Sequence, residues 1–174
     1  MPHSRVLAFI DAGRQTKVRR PSSVEMAMMK AGYLLQAGRD SLRPVIYLTT
    51  DFAAFDGIRR RDVLRPKPTD ILIGHFINAS LFENRKFTDL ICDWEIKEIA
   101  VIGGSIDGVV LRTLVDEICD QSKWVIVRDA VWTDRNETAA ASSVKIVIDS
   151  ILERRASHIT SKEFVDRLTV DAKA

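Results

Sequence analysis

The sequence has 174 residues, 46% hydrophobic and 29% charged, with a formal net charge of +2. This composition predicts a single globular domain over residues 1–174 and excludes a disordered chain. The small net charge argues against nucleic acid and acidic membranes as partners. Two cysteines, Cys92 and Cys119, exclude a disulfide scaffold and a four-cysteine zinc site. The first residues hold no apolar run long enough for a signal peptide or membrane helix, so we expect a cytoplasmic protein without a membrane partner.

Short apolar runs alternate with amphipathic stretches along the chain. In chain order the patterns predict strand 6–10, helix 22–38, strand 44–49, strand 70–73, helix 79–94, strand 98–102, helix 107–120, strand 124–127, a long helix after Asn136, strand 157–160 and a helix capped by Ser161. Strands that alternate with helices are typical of a parallel sheet joined by right-handed crossovers. We therefore predict an α/β fold with a six-stranded parallel sheet and helices on both faces.

Polar residues follow several of the predicted strands. Ligands of open parallel sheets bind outside the carboxyl ends of the strands, so these residues form the candidate site. They are Asp11, Thr49 to Asp51, Gly74 to Phe76, Gly103 to Gly108, and Asp129. Many α/β domains end the first strand in an aspartate that only holds a loop, so a catalytic and a structural role for Asp11 both stay open.

Five segments occur in a characteristic order: VLAFIDAGRQ, RPVIYLTT, GGSIDGVVLRTLVDE, WVIVRDAV and ASHITSKEF. The chain that carries them resembles the isochorismatase-like superfamily of isochorismatases, nicotinamidases and carbamoyl-type amidohydrolases, and the resemblance covers nearly the whole chain. It implies one three-layer α/β/α domain with a Rossmann-like strand order. It also implies a hydrolase of a small molecule that forms homo-oligomers.

Hydrolases of this superfamily use an aspartate, a lysine and a cysteine, and the resemblance places the aspartate at Asp11. A carboxylate at a strand end can take a proton from a thiol or from water. The lysine position falls at Phe76, or at His75 or Gly74 with a small shift, and none of these is a lysine. Lys67 precedes its strand and should lie at the opposite edge of the sheet. Because histidine titrates near physiological pH, His75 is the candidate for part of the missing positive charge, with a loop hydrogen bond as the alternative.

The cysteine position is also altered. Thr113 matches the superfamily's threonine four residues after the nucleophile, which places Val109 where the cysteine belongs. Valine has no nucleophilic atom. Cys119 lies about three helical turns further on and Cys92 lies in another predicted helix, so both are interpreted as packing residues. The isochorismatases also lack the cysteine but keep the lysine, so this chain departs from both patterns, as a divergent hydrolase or a pseudoenzyme would.

The glycine-rich segment after the fourth strand predicts a ligand-binding wall. In the superfamily it forms the oxyanion hole, and backbone N–H groups at a helix start favour negative charge. We expect Gly104, Ser105, Asp107 and Val109 to line this wall beside Asp11, although a plain strand-to-helix turn is the alternative. The segment from Thr50 to Phe52 lacks the D-x-H that supplies the metal ligands of nicotinamidases, so we expect no metal and no other cofactor.

Three functions follow from these patterns. The first is a hydrolase of a small amide or vinyl ether that uses Asp11 and water, with His75 as an electrostatic partner. The second is a non-catalytic member of the superfamily that binds a small ligand or a protein. The third is a metal-dependent nuclease of the PIN/NYN type, whose acidic cluster would require Asp11, Asp70 and Asp107, with Asp129 as an optional fourth member, although Asp70 begins its strand instead of ending it.

Overall fold

The computed structural model describes residues 4–11, 22–50, 64–75, 79–104, 106–116, 122–133 and 148–171. Six strands lie in these ranges: β1 Arg5–Asp11, β2 Val45–Thr49, β3 Ile71–Gly74, β4 Glu98–Gly103, β5 Lys123–Val131 and β6 Ser157–Ile159. All neighbouring strands are parallel, in the order β3-β2-β1-β4-β5-β6. The predicted α/β class, the six parallel strands and the Rossmann-like order are confirmed.

Helices connect the strands. They are α1 Ser22–Asp40, α2 Arg85–Asp93, α3 Leu111–Val115, α4 at residues 148–155 and α5 Ser161–Asp171. Short turns precede two of them, a 3₁₀ turn Leu81–Glu83 and a wide π-type turn Ile106–Val110. No helix among the described residues is long and apolar enough to cross a membrane.

Three predicted elements differ in extent. The predicted helix 79–94 is two pieces, because Ser80 caps the 3₁₀ turn and Asn84 caps α2 separately. The predicted helix 107–120 begins as a wide turn, in which Gly108 is non-helical (φ −108°, ψ −109°), and 117–121 lie outside the described residues. The fifth strand continues four residues past its predicted end. Asn136, the predicted cap of the long helix, also lies outside the described residues.

The sheet separates two apolar cores because successive side chains of a strand point to opposite faces. On β1, Val6, Ala8 and Ile10 pack into the core shared with α2, α3 and α4. Leu7 and Phe9 face the other core, which α1 and α5 cover. Burial of one such aliphatic side chain stabilises the fold by about 1.5–3 kcal/mol, so this alternation fixes the register of β1.

The strand order reverses between β1 and β4. β1 pairs with β2 on one side and with β4 on the other, and their crossovers leave in opposite directions. A crevice opens at such a switch point, outside the carboxyl ends of the two strands. Asp11 and Gly103 end these two strands, so the fold places both at the position where a ligand is expected.

Candidate functional site

Thr49 supports Asp11 at the carboxyl edge of the sheet. The parallel register sets Asp11 directly opposite Thr49. The Thr49 hydroxyl, on a residue with no exposed surface, donates a hydrogen bond to Asp11 Oδ2 at 3.1 Å. Asp11 itself is half-buried. The carboxylate is therefore oriented by a side chain that cannot move without disturbing β2.

His75 is the next group at this edge. Its backbone N–H donates to the Thr49 carbonyl at 2.9 Å, and its ring Nε2 lies 3.3 Å from the main-chain carbonyl of Asp11. A carbonyl only accepts, so this contact requires a proton on Nε2. The Asn84 side chain also donates to the Gly74 carbonyl, which ties the end of β3 to the start of α2. The structure thus brings His75 and Asp11 together, through the Asp11 main chain.

The glycine-rich segment folds back onto β1. Gly103 has a φ of +110°, and a Cβ there would lie 2.3 Å from the Ile10 carbonyl oxygen, so only glycine fits. The Gly104 N–H donates to that same carbonyl at 2.8 Å, and the Ile106 N–H donates to the Trp132 carbonyl at 3.2 Å. These two N–H groups are thus engaged within the protein, and the place of Gly104 in a ligand-binding wall stays a prediction. Ser105, the other predicted donor, lies outside the described residues.

Val109 lies in the α2–α4 core and is 1% exposed. Its carbonyl accepts a hydrogen bond from the Thr113 hydroxyl at 2.7 Å, and that hydroxyl accepts one from the Leu81 N–H at 2.9 Å. Thr113 therefore joins the wide turn to the 3₁₀ turn. The sequence motif that contains Thr113 did not predict this structural role. Asp107 is half-buried in the same wide turn, at the edge of the sheet that carries Asp11.

The interpretation of Cys92 as a packing residue is wrong. Cys92 does lie in α2 as predicted, but its side chain is exposed. The buried stripe of this helix is carried by Phe87 and Ile91 instead. Cys119, like Phe76 and Asp51, lies outside the described residues.

Asp129 has a structural role. Its carboxylate accepts hydrogen bonds from Lys30 Nζ at 2.7 Å and from the Ser161 N–H and hydroxyl at 2.7 and 2.8 Å. Partial burial raises the pKa of Asp129, but the hydrogen bonds from Lys30 and Ser161 outweigh it and hold the pKa below its usual value. Asp129 thus fastens α1 to the start of α5.

The start of α5 also corrects a predicted cap. The Thr160 hydroxyl accepts from the Glu163 N–H at 3.3 Å, while Glu163 accepts from the Thr160 N–H at 2.6 Å. This reciprocal pair is a capping box, so Thr160 is the cap and Ser161 is the first helical residue. These hydrogen bonds from Thr160 hold the pKa of the exposed Glu163 carboxyl below its usual range.

The acidic cluster of the nuclease hypothesis is not assembled. Asp70 precedes β3 and forms a buried ion pair with Arg39 near the end of α1, at the edge opposite Asp11. Lys67 lies at that edge too, where its ammonium contacts Gln36. In the part of the chain that the structure describes, no group of three His, Cys, Asp or Glu residues could hold a metal ion. Asp129 is committed to Lys30 and Ser161.

Several solved structures have the same architecture. An isochorismatase from Pseudomonas putida has a TM-score of 0.73 at 20% identity, covering 92% of this chain and 89% of its own. A cysteine hydrolase from Pseudomonas syringae pv. phaseolicola has a TM-score of 0.75 at 18% identity, with coverages of 98% and 95%. For an N-carbamoylsarcosine amidase from Thermoplasma acidophilum the TM-score is 0.63 at 19% identity, with coverages of 90% and 96%.

No protein-family profile and no curated protein sequence matches this chain. At these identities the likeness concerns the backbone, and it extends over nearly the whole chain in each case. The resemblance found in the five sequence segments is thereby confirmed at the level of the fold. The chain has the fold that isochorismatases and cysteine hydrolases share.

Proposed function

We propose that the protein is a hydrolase of a small amide or vinyl ether that uses Asp11 and water, without a cysteine nucleophile. The observation that carries this proposal is the arrangement at the switch point of the sheet. There the Asp11 carboxylate is held by the buried Thr49 hydroxyl, and His75 lies against the Asp11 main chain. A preoriented, half-buried carboxylate at this position is suited to general acid–base catalysis.

The chemistry follows from one carboxyl group and one water molecule. With an amide, Asp11 takes a proton from water as the water oxygen bonds to the carbonyl carbon. Asp11 then gives the proton to the nitrogen as the C–N bond breaks, which releases an acid and an amine. With a vinyl ether, protonated Asp11 donates its proton to the terminal carbon, and water adds to the resulting oxocarbenium ion while returning a proton to the Asp11 carboxylate. The hydrated adduct then breaks its C–O bond to the alcohol oxygen, which takes up the hydroxyl proton, and gives a carbonyl compound and an alcohol. His75 acts as a positioning residue that holds the Asp11 backbone.

The test is a turnover assay with N-carbamoyl amino acids, nicotinamide and isochorismate as substrates. We expect one class to be hydrolysed, and Asp11→Asn to lower the rate at least about 100-fold, because general acid–base catalysis contributes that much or more. Circular dichroism of the variant checks that the fold is intact. A rate that is unchanged in folded Asp11→Asn would contradict the proposal.

Cysteine chemistry is tested in the same assay. Cys92 is exposed on α2, away from Asp11, so Cys92→Ser should keep the wild-type rate. Alkylation of both cysteines with iodoacetamide should also leave turnover unchanged, because the mechanism needs no thiolate. Loss of activity on alkylation of the Cys92→Ser variant would assign the reaction to Cys119 and refute a water nucleophile.

A non-catalytic binding protein is the second candidate. It is favoured by Val109, which occupies the nucleophile position inside the apolar core, and by the engaged N–H groups of Gly104 and Ile106. This candidate predicts that one substrate of the panel raises the melting temperature without being turned over, and that Asp11→Asn abolishes the shift. Self-association, which the resemblance implies, and a cytoplasmic location, which the start of the sequence predicts, stay predictions.

A further inference from the structure

A second cleft lies at the amino edge of the sheet, opposite Asp11. It has a volume of about 370 Å³ and is formed where β5 and β6 begin and α4 ends. Ser122, Lys123, Trp124, Glu153, Arg154, Arg155, Ala156 and Ser157 line it. A space of this volume is within the range of small-molecule sites. Because parallel strands all begin at this edge, the cleft is separate from the switch-point crevice.

The cleft wall carries more positive than negative charge. Lys123, Arg154 and Arg155 face one acidic side chain, Glu153. All four residues are exposed, so their charged ends can reorient towards a ligand. Guanidinium groups bind phosphate oxygens in a two-pronged geometry, while an ammonium binds them as a point charge. Two adjacent arginines with a nearby lysine are thus suited to a phosphate-bearing anion.

Among the described residues, Lys123 makes one ion pair outside the cleft. Glu98 is the acidic neighbour of Lys123 across the β4–β5 pair, with Nζ and Oε2 4.0 Å apart. The same carboxylate lies 4.0 Å from the Arg5 guanidinium, so it is shared between two cations. This contact is long for an ion pair, and the Lys123 side chain is exposed, so Lys123 can exchange Glu98 for a ligand oxygen at little cost.

The Trp124 indole N–H can report on binding in the cleft. Trp124 lines the cleft as a buried residue, and its ring packs edge-on against the Phe82 ring, with ring centroids 6.2 Å apart. The buried Trp124 indole N–H has no hydrogen-bond partner among the described residues. An N–H in this situation responds to small displacements of the wall, so its NMR signal should shift when the cleft is filled.

We propose that this amino-edge cleft binds a small phosphate-bearing anion through Arg154, Arg155 and Lys123. The site is independent of any reaction at Asp11, so the two proposals can fail separately. We expect phosphate to bind in preference to carboxylate, because a phosphate group offers more negative charge and more acceptor oxygens to the three cations.

The experiment is an NMR titration of the ¹⁵N-labelled full chain with pyrophosphate, inorganic phosphate and citrate at constant ionic strength. Trp124→Phe assigns the reporter signal. We expect a saturable shift of the Trp124 indole N–H with pyrophosphate, weaker binding of phosphate, and the weakest binding of citrate. Asp11→Asn should bind pyrophosphate like the wild type. Citrate binding as tight as pyrophosphate would overturn the assignment to phosphate.

The variants compare two pairs of basic residues. Arg154→Gln with Arg155→Gln should weaken pyrophosphate binding by about tenfold or more, because two charge-assisted contacts are lost. The matched control is Arg85→Gln with Lys86→Gln, which removes the same charge from the start of α2, near the end of β3. The control should bind within about twofold of the wild type. No saturable shift, or equal losses in both variants, would overturn the proposal.

Discussion

The two halves of the sheet's carboxyl edge are built differently. At the ends of β1, β2 and β3, the Asp11 carboxylate, the Thr49 hydroxyl and the His75 ring lie next to one another. At the ends of β4, β5 and β6, the Gly104 and Ile106 N–H groups bind main-chain carbonyls, and Asp129 is saturated by Lys30 and Ser161. The first half keeps polar side chains together, while the second half uses its polar groups to hold the fold.

This difference shows that a polar residue at a strand end is not enough to define a site. Asp11 and Asp129 occupy similar places in the sequence pattern. Asp129 accepts from an ammonium and two donors of Ser161, whereas the Asp11 carboxylate accepts from the neutral hydroxyl of Thr49. A carboxylate that already binds a cation loses strength as a base, so Asp129 is a poor candidate for proton transfer.

The largest expected effect comes from Gly103, where the second half folds onto β1. In Gly103→Ala the new Cβ would meet the Ile10 backbone at 2.3 Å in a left-handed conformation. We expect a loss of roughly 4 kcal/mol or more in the free energy of unfolding, or failure to fold. Urea denaturation measures it. In the control Gly38→Ala, the contact is a Leu7 methyl group that can move, so the change should stay within about 1 kcal/mol.

Thr49→Val tests the half of the carboxyl edge that β1, β2 and β3 form. The variant keeps the shape of the side chain but removes the donor to Asp11. A hydrogen bond to a charged group contributes about 1.5–3 kcal/mol, and we expect a loss of that order in urea denaturation. Thr88→Val is the control, because the Thr88 hydroxyl donates to the neutral carbonyls of Phe82 and Asn84. If Thr88→Val destabilised the protein as much, the Thr49–Asp11 contact would have no special strength.

Val109→Thr tests whether the β4–β6 half of the carboxyl edge keeps water away from Val109. The replacement is nearly isosteric and brings a hydroxyl into the apolar core, which should cost about 1–3 kcal/mol of stability. In the control Val115→Thr the hydroxyl reaches water at the end of α3, so the change should stay within about 0.5 kcal/mol. A Val109→Thr protein as stable as the control would show that Val109 borders a wet pocket, as the original ligand-binding expectation requires.

Asp129 gives the smallest effect, because it and Lys30 are partly exposed to water. Its pKa is lower in the folded than in the unfolded protein, so its stabilisation is present above the unfolded pKa and disappears as the pH falls through the folded pKa. We expect wild type to be more stable than Asp129→Asn at neutral pH. Urea denaturation at several pH values should show this advantage shrinking from about pH 4 downward. A difference independent of pH would contradict the ionic role.

Sequence reasoning found the fold but only part of the site. The alternation of apolar runs with amphipathic stretches predicted the succession of strands and helices along the chain. Strand polarity correctly placed Asp70 and Lys67 at the edge of the sheet opposite Asp11. The partners of Thr113, Asp129 and the Gly104 N–H could not be predicted, because each contact joins segments distant in sequence. The exposure of Cys92 depended on the rotation of α2, which a mixed apolar pattern leaves open.

The irregular pairing of β4 and β5 has a consequence for how the fold tolerates change. Val101 pairs with Ile126 and Gly103 with Val131, so two steps along β4 correspond to five along β5. β5 therefore has more residues than β4 between these two pairings. The earlier residues of β5 stay in register with β6. A polar residue such as Asp129 fits there, near the carboxyl end of β5, without disturbing the neighbouring ladders. This segment can change its chemistry over evolution while the sheet around it stays the same.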